Sequence, residues 1–288
     1  RAWLIAHGHE GMPSPNTITS ILRRNGRISA EESPKHTAWQ RFERQAPNEL
    51  WQMDFKGHFA MSQGGRCHPL TVLDDHSRFA VGVRACGNEL GGTVQGRLTS
   101  IFRHYGLPDR ILMDNGAPWG THHEDAYTHF TVWLMRLGID FGHGRPYHPQ
   151  TQGKDERFHR TLKAEVLQGR NFTDLPQCQA AFDYWRPIYS LERPHEALGM
   201  ETPAARYHVS HKSFPETLQP PEYGPSDLVR RVQDKGEVSF KGRTFKVSNA
   251  FRGHPVALRP TSTDGVWDVF FYTSTIARFD LTEPAQSR

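Results

Sequence analysis

Between Leu50 and Tyr189 the spacing of apolar residues changes several times, and each change marks an element. Trp51, Met53 and Phe55 alternate with Gln52, Asp54 and Lys56, the two-residue period of a strand with one face on a core. Asp54 therefore falls on the face opposite the apolar trio. Leu70–Leu73 and Phe79–Val83 predict two more strands, joined by the polar turn Asp74-Asp75-His76-Ser77-Arg78. Val94, Leu98, Ile101, Phe102 and Tyr105 recur at helical spacing as far as Gly106, with Pro108 just beyond, so a helix stops there. The short run Arg110–Met113 leads into Asp114-Asn115-Gly116 as a fourth strand. Phe130, Trp133, Leu134 and Leu137 predict a second helix closed by Gly138, and Ile139–Phe141 a fifth strand. Phe158, Leu162 and Val166, one every four positions, predict a third helix. Leu175, Cys178, Phe182, Trp185 and Tyr189 predict a fourth.

Strands that first meander and then alternate with helices imply an α/β fold, a mixed sheet with helices on its faces. The functional crevice of such a sheet lies beyond the carboxyl ends of its strands. Asp54 and Asp114 meet there if their strands are parallel neighbours. The flanks read differently. Ser14 as cap, Pro15 at the first helical position, Ile18, Ile21 and Leu22 as one face and Gly26 as stop predict a short helix. Ser20, Arg23 and Arg24 line its outer face, as on a DNA-recognition helix and as on any capped surface helix. Residues 29–48 read as a linker, and residues 212–226, with Pro215, Pro220, Pro221 and Pro225, as another. Leu228–Val232, Glu237–Phe240, Thr244–Val247, Val256–Arg259 and Val266–Tyr272 then predict five short strands of a small all-β barrel. The expected organisation is 1–44 as a DNA-binding segment with its linker, 45–211 as the catalytic core, 212–226 as linker and 227–288 as barrel.

Charge sharpens this division. Residues 1–44 carry 7 Lys and Arg against 4 Asp and Glu, residues 225–288 carry 10 against 7, and the middle carries 18 against 20. Basic flanks around a slightly acidic centre suit appendages that hold DNA and a core that keeps carboxylates for metal, although ordinary surface shows such asymmetry too. No apolar run approaches the roughly 18 residues of a membrane span. Three scattered cysteines argue for a reducing compartment and against a disulfide framework. The expected location is the bacterial cytoplasm, at the nucleoid. The chain opens on Arg1 with no initiator Met or signal peptide, which reads as a chain lacking part of its natural N-terminus.

The stretch from Tyr147 to Lys163 holds the third acidic candidate. Pro146, Pro149 and Gly153 read as a loop, followed by a helix with Glu156 at its entrance. At about 100° per residue, Arg160 and Lys163 share the Glu156 face, Glu165 points away, and Asp155 falls on the apolar stripe and reads as a helix-start residue. Lys154, Arg157, Arg160 and Lys163 are candidate phosphate contacts, with a solvated basic face as the plain alternative. Three carboxylates at two strand ends and one helix start can hold hard divalent cations. Mg²⁺ prefers oxygen ligands and completes its shell with water and phosphate. Two such ions about 4 Å apart can serve an in-line phosphoryl displacement. Zinc is disfavoured, because no Cys/His grouping has ligand spacing and adjacent pairs such as His122-His123 are expected among 17 histidines.

Five motifs in order carry a resemblance. Trp51-Gln52-Met53-Asp54-Phe55, Asp114-Asn115-Gly116 and His148-Pro149-Gln150…Gly153…Glu156 resemble the catalytic signatures of bacterial insertion-sequence transposases related to retroviral integrases. Leu73–Arg78 and Arg193-Pro194-His195-Glu196-Ala197-Leu198 are secondary matches. The resemblance covers about residues 45–210. It implies a ribonuclease-H-like mixed five-stranded sheet, an N-terminal helix-turn-helix remnant and a C-terminal SH3-like barrel. It also implies an acidic triad of Asp54, Asp114 and Glu156 binding Mg²⁺, with Mn²⁺ as a substitute. The implied reaction is cleavage at transposon ends and transfer of the 3′-hydroxyl into target DNA, within a homo-oligomeric synapse on double-stranded DNA. Arg23, Arg24, His148, Lys154, Arg157, Arg160 and Lys163 are the expected DNA contacts. The retroviral His/Cys zinc domain is absent. The 42 positions from Asp114 to Glu156 (156 − 114) exceed the retroviral spacing, so the loop at 116–128 is expected to differ.

Other residues weigh less. Asp74 and Asp75 are expected to serve their turn. Asn115 and Gly116 are expected to shape the turn presenting Asp114, and Trp51, Trp133 and Trp185 to be core. Arg193 and His195 either brace the site or touch DNA. The loop before the third helix is expected to close over DNA. Two rival functions remain at this stage, a Mg²⁺-dependent nuclease that hydrolyses without joining and a non-catalytic DNA-binding descendant.

Overall fold

A computed structural model describes residues 1, 4–5, 7–27, 43–114, 116, 118–120, 127–143 and 149–283, with the backbone alone at 149–152. The central sheet is built from β1 (Trp51–Phe55), β3 (Arg66–Asp74), β4 (Ala80–Cys86), β5 (Arg110–Met113) and β6 (Asp140–His143), with a short β2 (Phe59–Ala60) beside the start of β3. β3 runs antiparallel to both β1 and β4, while β1, β5 and β6 run parallel to one another. This meander of three strands followed by two parallel ones, with β1 in the middle, is the ribonuclease-H-like arrangement. It meets the condition set above for Asp54 and Asp114.

Helices cover both faces. α2 (Gly91–Tyr105) and α3 (His129–Arg136) pack Leu98, Phe102, Trp133 and Leu134 on one face, against Trp51, Met53, Leu70 and Val72. α4 (Pro149–Leu162) and α5 (Leu175–Pro187) pack Phe158, Leu162, Phe182 and Trp185 on the other, against Leu73, Ala80 and Val83. Each such side chain removed from water contributes roughly 1.5–3 kcal/mol. α2 crosses β4 at Gly82, where any Cβ would lie 2.4 Å from Ile101 Cδ1, so a side chain there would force Ile101 to move. Trp51, Trp133 and Trp185 are core, as expected. Gln52 is buried as well, because α4 covers the face of β1 that the alternation marked as polar. Cys67, Cys86 and Cys178 are buried and unpaired.

Two sequence expectations need correction here. α4 starts at Pro149, so Pro149 and Gly153 are helical instead of part of a loop. Proline is tolerated in a first turn because its missing N–H has no intrahelical partner there, and an exposed glycine costs only about 1 kcal/mol. Glu156 is therefore the eighth residue of a helix, not its entrance. What remains of the expected closing loop, 144–148, lies outside the described residues.

The C-terminal part has six strands where five were expected: β7 (Leu228–Arg231), β8 (Glu237–Phe240), β9 (Arg243–Lys246), β10 (Pro255–Pro260), β11 (Val266–Phe271) and β12 (Ser274–Asp280). The turn between β11 and β12 places Tyr272 at φ 52° with no glycine to announce it, which hides the last strand from sequence reading. A four-stranded sheet and the β8–β9 hairpin enclose Val238, Phe251, Leu258, Val269 and Phe271 as a small barrel-like unit. Val132 and Met135 of α3 join that cluster, and Tyr127 meets Phe251 with ring centroids 4.9 Å apart. Residues 212–226 have no helix or strand and run as a strap along the core. Arg103 pairs with Glu216, Leu107 N–H donates to Lys212 O, and Tyr272 Oη donates to Gln219 O.

At the other end, α1 (Pro15–Arg24) is capped by Ser14 Oγ, which accepts from Thr17 N–H at 3.2 Å. The helix forms where predicted. None of its residues is buried: Ile18 is half-buried, and Ile21 and Leu22 are exposed.

Candidate active site

Asp54 and Asp114 come together because β1 and β5 are parallel neighbours in the register Trp51↔Ile111 and Gln52↔Leu112. Two steps further along, that register sets the two carboxylates side by side. Asp54 is half-buried, and its pKa is pushed up to about 6, first by burial and then by the charge of Asp114. The Phe55 N–H and the charge of Lys56 offset this only partly. An acid whose charge is opposed by burial and by a neighbouring carboxylate is a ready place for a cation.

Asp114 is held by the chain that follows it. Its Oδ1 accepts from Gly116 N–H at 3.0 Å and from the indole N–H of Trp119. A Cβ at Gly116 would lie 3.1 Å from Asp114 Oδ2, so this turn favours glycine. Trp119 is buried and stacks on Phe55, the neighbour of Asp54, at 5.3 Å. His143 Nδ1 donates to the backbone carbonyl of Asp114 at 2.8 Å, which ties β6 to the same point. Asn115 and most of the 116–128 loop lie outside the described residues.

α4 crosses the Asp54 end of β1. His159 is buried with Nδ1 3.9 Å from Asp54 Oδ2 and Nε2 2.7 Å from Thr71 Oγ1. Thr71 Oγ1 donates its own proton to Asp54 O at 3.0 Å, so Nε2 carries the imidazole proton and Nδ1 presents a lone pair to Asp54. Burial pushes the His159 pKa down to about 4. The 3.9 Å contact is therefore not an ion pair at neutral pH. Glu156, one turn earlier, is exposed. Among the described residues, no group of three or more His, Cys, Asp or Glu is close enough to hold a metal. The structure thus brings Asp54 and Asp114 together and leaves Glu156 pointing to solvent from the helix that faces them. The paired carboxylates offer the hard oxygen donors that Mg²⁺ takes.

Asp155 corrects another expectation. It lies inside α4 instead of at its start, and it is buried, as its place on the apolar stripe requires. Among the described residues its Oδ1 has no hydrogen-bond partner, and burial together with the charges of Asp54 and Asp75 holds its carboxyl well above the usual range.

The basic candidates divide. Arg157 and Arg160 are exposed on α4, Lys163 is exposed just after its end, and Arg23 and Arg24 are exposed on the last turn of α1. Lys154 is not available to phosphate as expected. Its Nζ lies 2.5 Å from Asp75 Oδ1, and its side chain is only 14% exposed, because its position on the helix turns it under the β3–β4 turn. His148 lies outside the described residues. Asp74 serves its turn as predicted, accepting from Ser77 N–H and Oγ at 2.8 and 2.5 Å. After Leu162 the helix widens into a π turn, Lys163–Leu167. Glu165 then accepts from Trp185 Nε1 at 2.7 Å and pairs with Arg193. Arg193 also lies over the Tyr189 ring, and His195 Nε2 reaches Tyr189 O at 3.3 Å. Arg193 thus ties the turn that follows α4 to the segment after α5, while the His195 contact stays within that segment. Sequence reading missed Trp119, Thr71 and His159. Only His159 left a signal, three positions after Glu156.

Comparison with known proteins is consistent with this architecture. The integrase core domain family matches residues 44–149, and a second integrase core match covers 137–203. Residues 227–287 match the C-terminal domain of the IS481 family transposases. The chain is 30% identical over 176 residues to the insertion element IS407 uncharacterized 31.7 kDa protein of Burkholderia multivorans, covering 60% of this chain and 61% of that protein. It is also 30% identical over 158 residues to the insertion element IS476 uncharacterized 39.2 kDa protein of Xanthomonas euvesicatoria, covering 55% and 44%. The chain therefore spans less than two thirds of either relative's length. A chain of the simian T-cell lymphotropic virus intasome superposes with a TM-score of 0.49 at 18% identity, covering 98% of this chain and 95% of that one.

Proposed function

Because the chain belongs to the integrase-core family of insertion-element transposases, we propose that it is a polynucleotidyl transferase that cleaves DNA at the ends of its element. It then joins the freed 3′-hydroxyl to target DNA. The observation that carries this reading is the placement of Asp54 beside Asp114 on adjacent parallel strands, where burial and the neighbouring carboxylate both oppose the Asp54 charge. A perturbed acid in such a crevice is a mark of a functional centre. Asp54, Asp114 and Glu156 are the residues that would hold Mg²⁺, or Mn²⁺ in its place, with Glu156 turning inward from α4. Bound there, the ion supplies Lewis-acid stabilisation of anionic oxygens at the scissile phosphate.

The chain's own side chains have separate tasks. Trp119 and Gly116 orient Asp114 through its Oδ1. Thr71 and neutral His159 fix the backbone and inner face at Asp54. Arg157 and Arg160 on α4, Lys163 just after it, and Arg23 and Arg24 on α1, hold DNA phosphates. The partners are double-stranded transposon ends and target DNA, engaged by more than one copy of the chain at the bacterial nucleoid. No helix among the described residues is long and apolar enough to cross a membrane.

Strand transfer from pre-cleaved ends tests the reading. Asp54→Asn, Asp114→Asn and Glu156→Gln are each expected to abolish joining while leaving end binding largely intact. Near-wild-type joining by any one of them removes that residue from the triad. Hydrolysis with no joined product from the wild-type chain would make it a nuclease instead.

A further inference from the structure

Asp75 is buried in the β3–β4 turn, yet its carboxylate does not hold that turn together, since Asp74 does. Its Oδ1 accepts from the Gln52 side-chain amide at 2.7 Å and from Lys154 Nζ at 2.5 Å. Its Oδ2 accepts from the Arg44 backbone N–H at 2.9 Å. Gln52 stands two residues before Asp54 on β1, and Lys154 stands two residues before Glu156 on α4. One carboxylate thus joins the strand and the helix that face each other across the crevice. At about 100° per residue, Lys154 points roughly 160° away from Glu156. Locking Lys154 inward therefore fixes the rotation of α4 and the direction in which Glu156 leaves it. The same turn receives the incoming chain, because Arg44 O is held by His76 Nδ1 at 2.8 Å and Glu43 pairs with Arg78 at 3.2 Å. A buried charge deprived of its partner is strongly unfavourable, which gives such a junction a firm preferred geometry.

We infer that Asp75, acting through Lys154 and Gln52, is a positioning residue that fixes the seating and rotation of α4 over β1, and so the place from which the Glu156 side chain has to reach Asp54. The inference rests on the reading of Asp54, Asp114 and Glu156 as metal ligands. The test is Mn²⁺ binding by the full chain, followed as loss of the free-ion electron paramagnetic resonance signal, with amide exchange over 149–162 as a second readout. Asp75→Asn and Lys154→Met are expected to weaken Mn²⁺ binding at least tenfold and to speed exchange in α4, with circular dichroism unchanged. Lys154→Arg is expected to restore most of the affinity. Lys154→Met leaves the Gln52 and Arg44 bonds in place and keeps the test open if Asp75→Asn fails to fold. Folded variants that bind Mn²⁺ like the wild type overturn the inference. Asp54→Asn is the separate control. If it binds Mn²⁺ unchanged, the ligand reading fails, and unaltered exchange over 149–162 in Lys154→Met then overturns the role of Asp75 as well.

Discussion

Asp54 and His159 face each other with opposite titration behaviour. The Asp54 pKa is raised from 3.8 to about 6, so its stabilising contribution is full below pH 3.8 and is lost as pH rises through about 6. The His159 pKa is lowered from 6.5 to about 4, so its contribution is full above pH 6.5 and is lost as pH falls towards 4. At neutral pH the metal-free protein carries the cost of the Asp54 charge. Asp54→Asn is therefore expected to raise the Tm of the metal-free chain by a few degrees. That corresponds to about 1–2 kcal/mol after allowance for solvent screening. A lower Tm at pH 7.5, measured by calorimetry, would contradict the cost that burial, and after it the charge of Asp114, places on the Asp54 charge. Trp119→Phe keeps the stacking on Phe55 but removes the indole donor to Asp114. A hydrogen bond to a charged group contributes about 1.5–3 kcal/mol, so strand transfer is expected to fall roughly tenfold or more, and the Tm by several degrees. Neither partner was legible from the sequence. Trp119 acts through a loop contact without periodicity, and the neutrality of His159 comes from burial that only the fold creates.

Elements were easier to read than their ends. The apolar stripe of Phe158, Leu162 and Val166 located α4 and correctly buried Asp155, because helical geometry alone decides which positions share a face. Its start was misplaced because proline and glycine mark loops only on average, and Pro149 occupies the first turn, where it is allowed. The π turn at Lys163–Leu167 left no mark in the spacing, yet it lets Glu165 reach Trp185 and Arg193. Glu165→Gln keeps the size and one acceptor but loses the charge paired with Arg193. It is expected to cost about 1 kcal/mol, read as a shift in urea midpoint without a change in slope. On the outer face, replacing Arg157, Arg160 and Lys163 together with alanine is expected to weaken end binding and to flatten its salt dependence by up to about three units of slope. An unchanged slope would remove these residues from the DNA contacts.

At the scale of the whole molecule, the meander followed by two parallel strands was predictable because strand and helix periods alternate plainly between Leu50 and Tyr189. Docking of the barrel was not. Nothing in the spacing of α3 says that Val132 and Met135 face Phe251 and Val238 while Phe130, Trp133 and Leu134 face the central sheet. Short helices that are apolar on most sides are read only as buried, with no indication of what buries them. Phe251→Ala is expected to destabilise by about 3–5 kcal/mol and to loosen the barrel and α3 together. Hydrogen exchange checks this, since loss of protection confined to the barrel would show that the two are independent.

The two-sided α3 also bears on how the chain emerges from the ribosome. Its partner surface, from Val232 to Phe279, is synthesised roughly a hundred or more residues after Val132 and Met135. At about 5–20 residues per second this leaves an uncovered apolar stripe for some 5–30 s on every nascent chain. During that interval a holdase chaperone has a fixed target, and a message truncated before the barrel leaves the target exposed for good. Such truncated products are expected to aggregate or be degraded even though the sheet carrying Asp54 and Asp114 is complete.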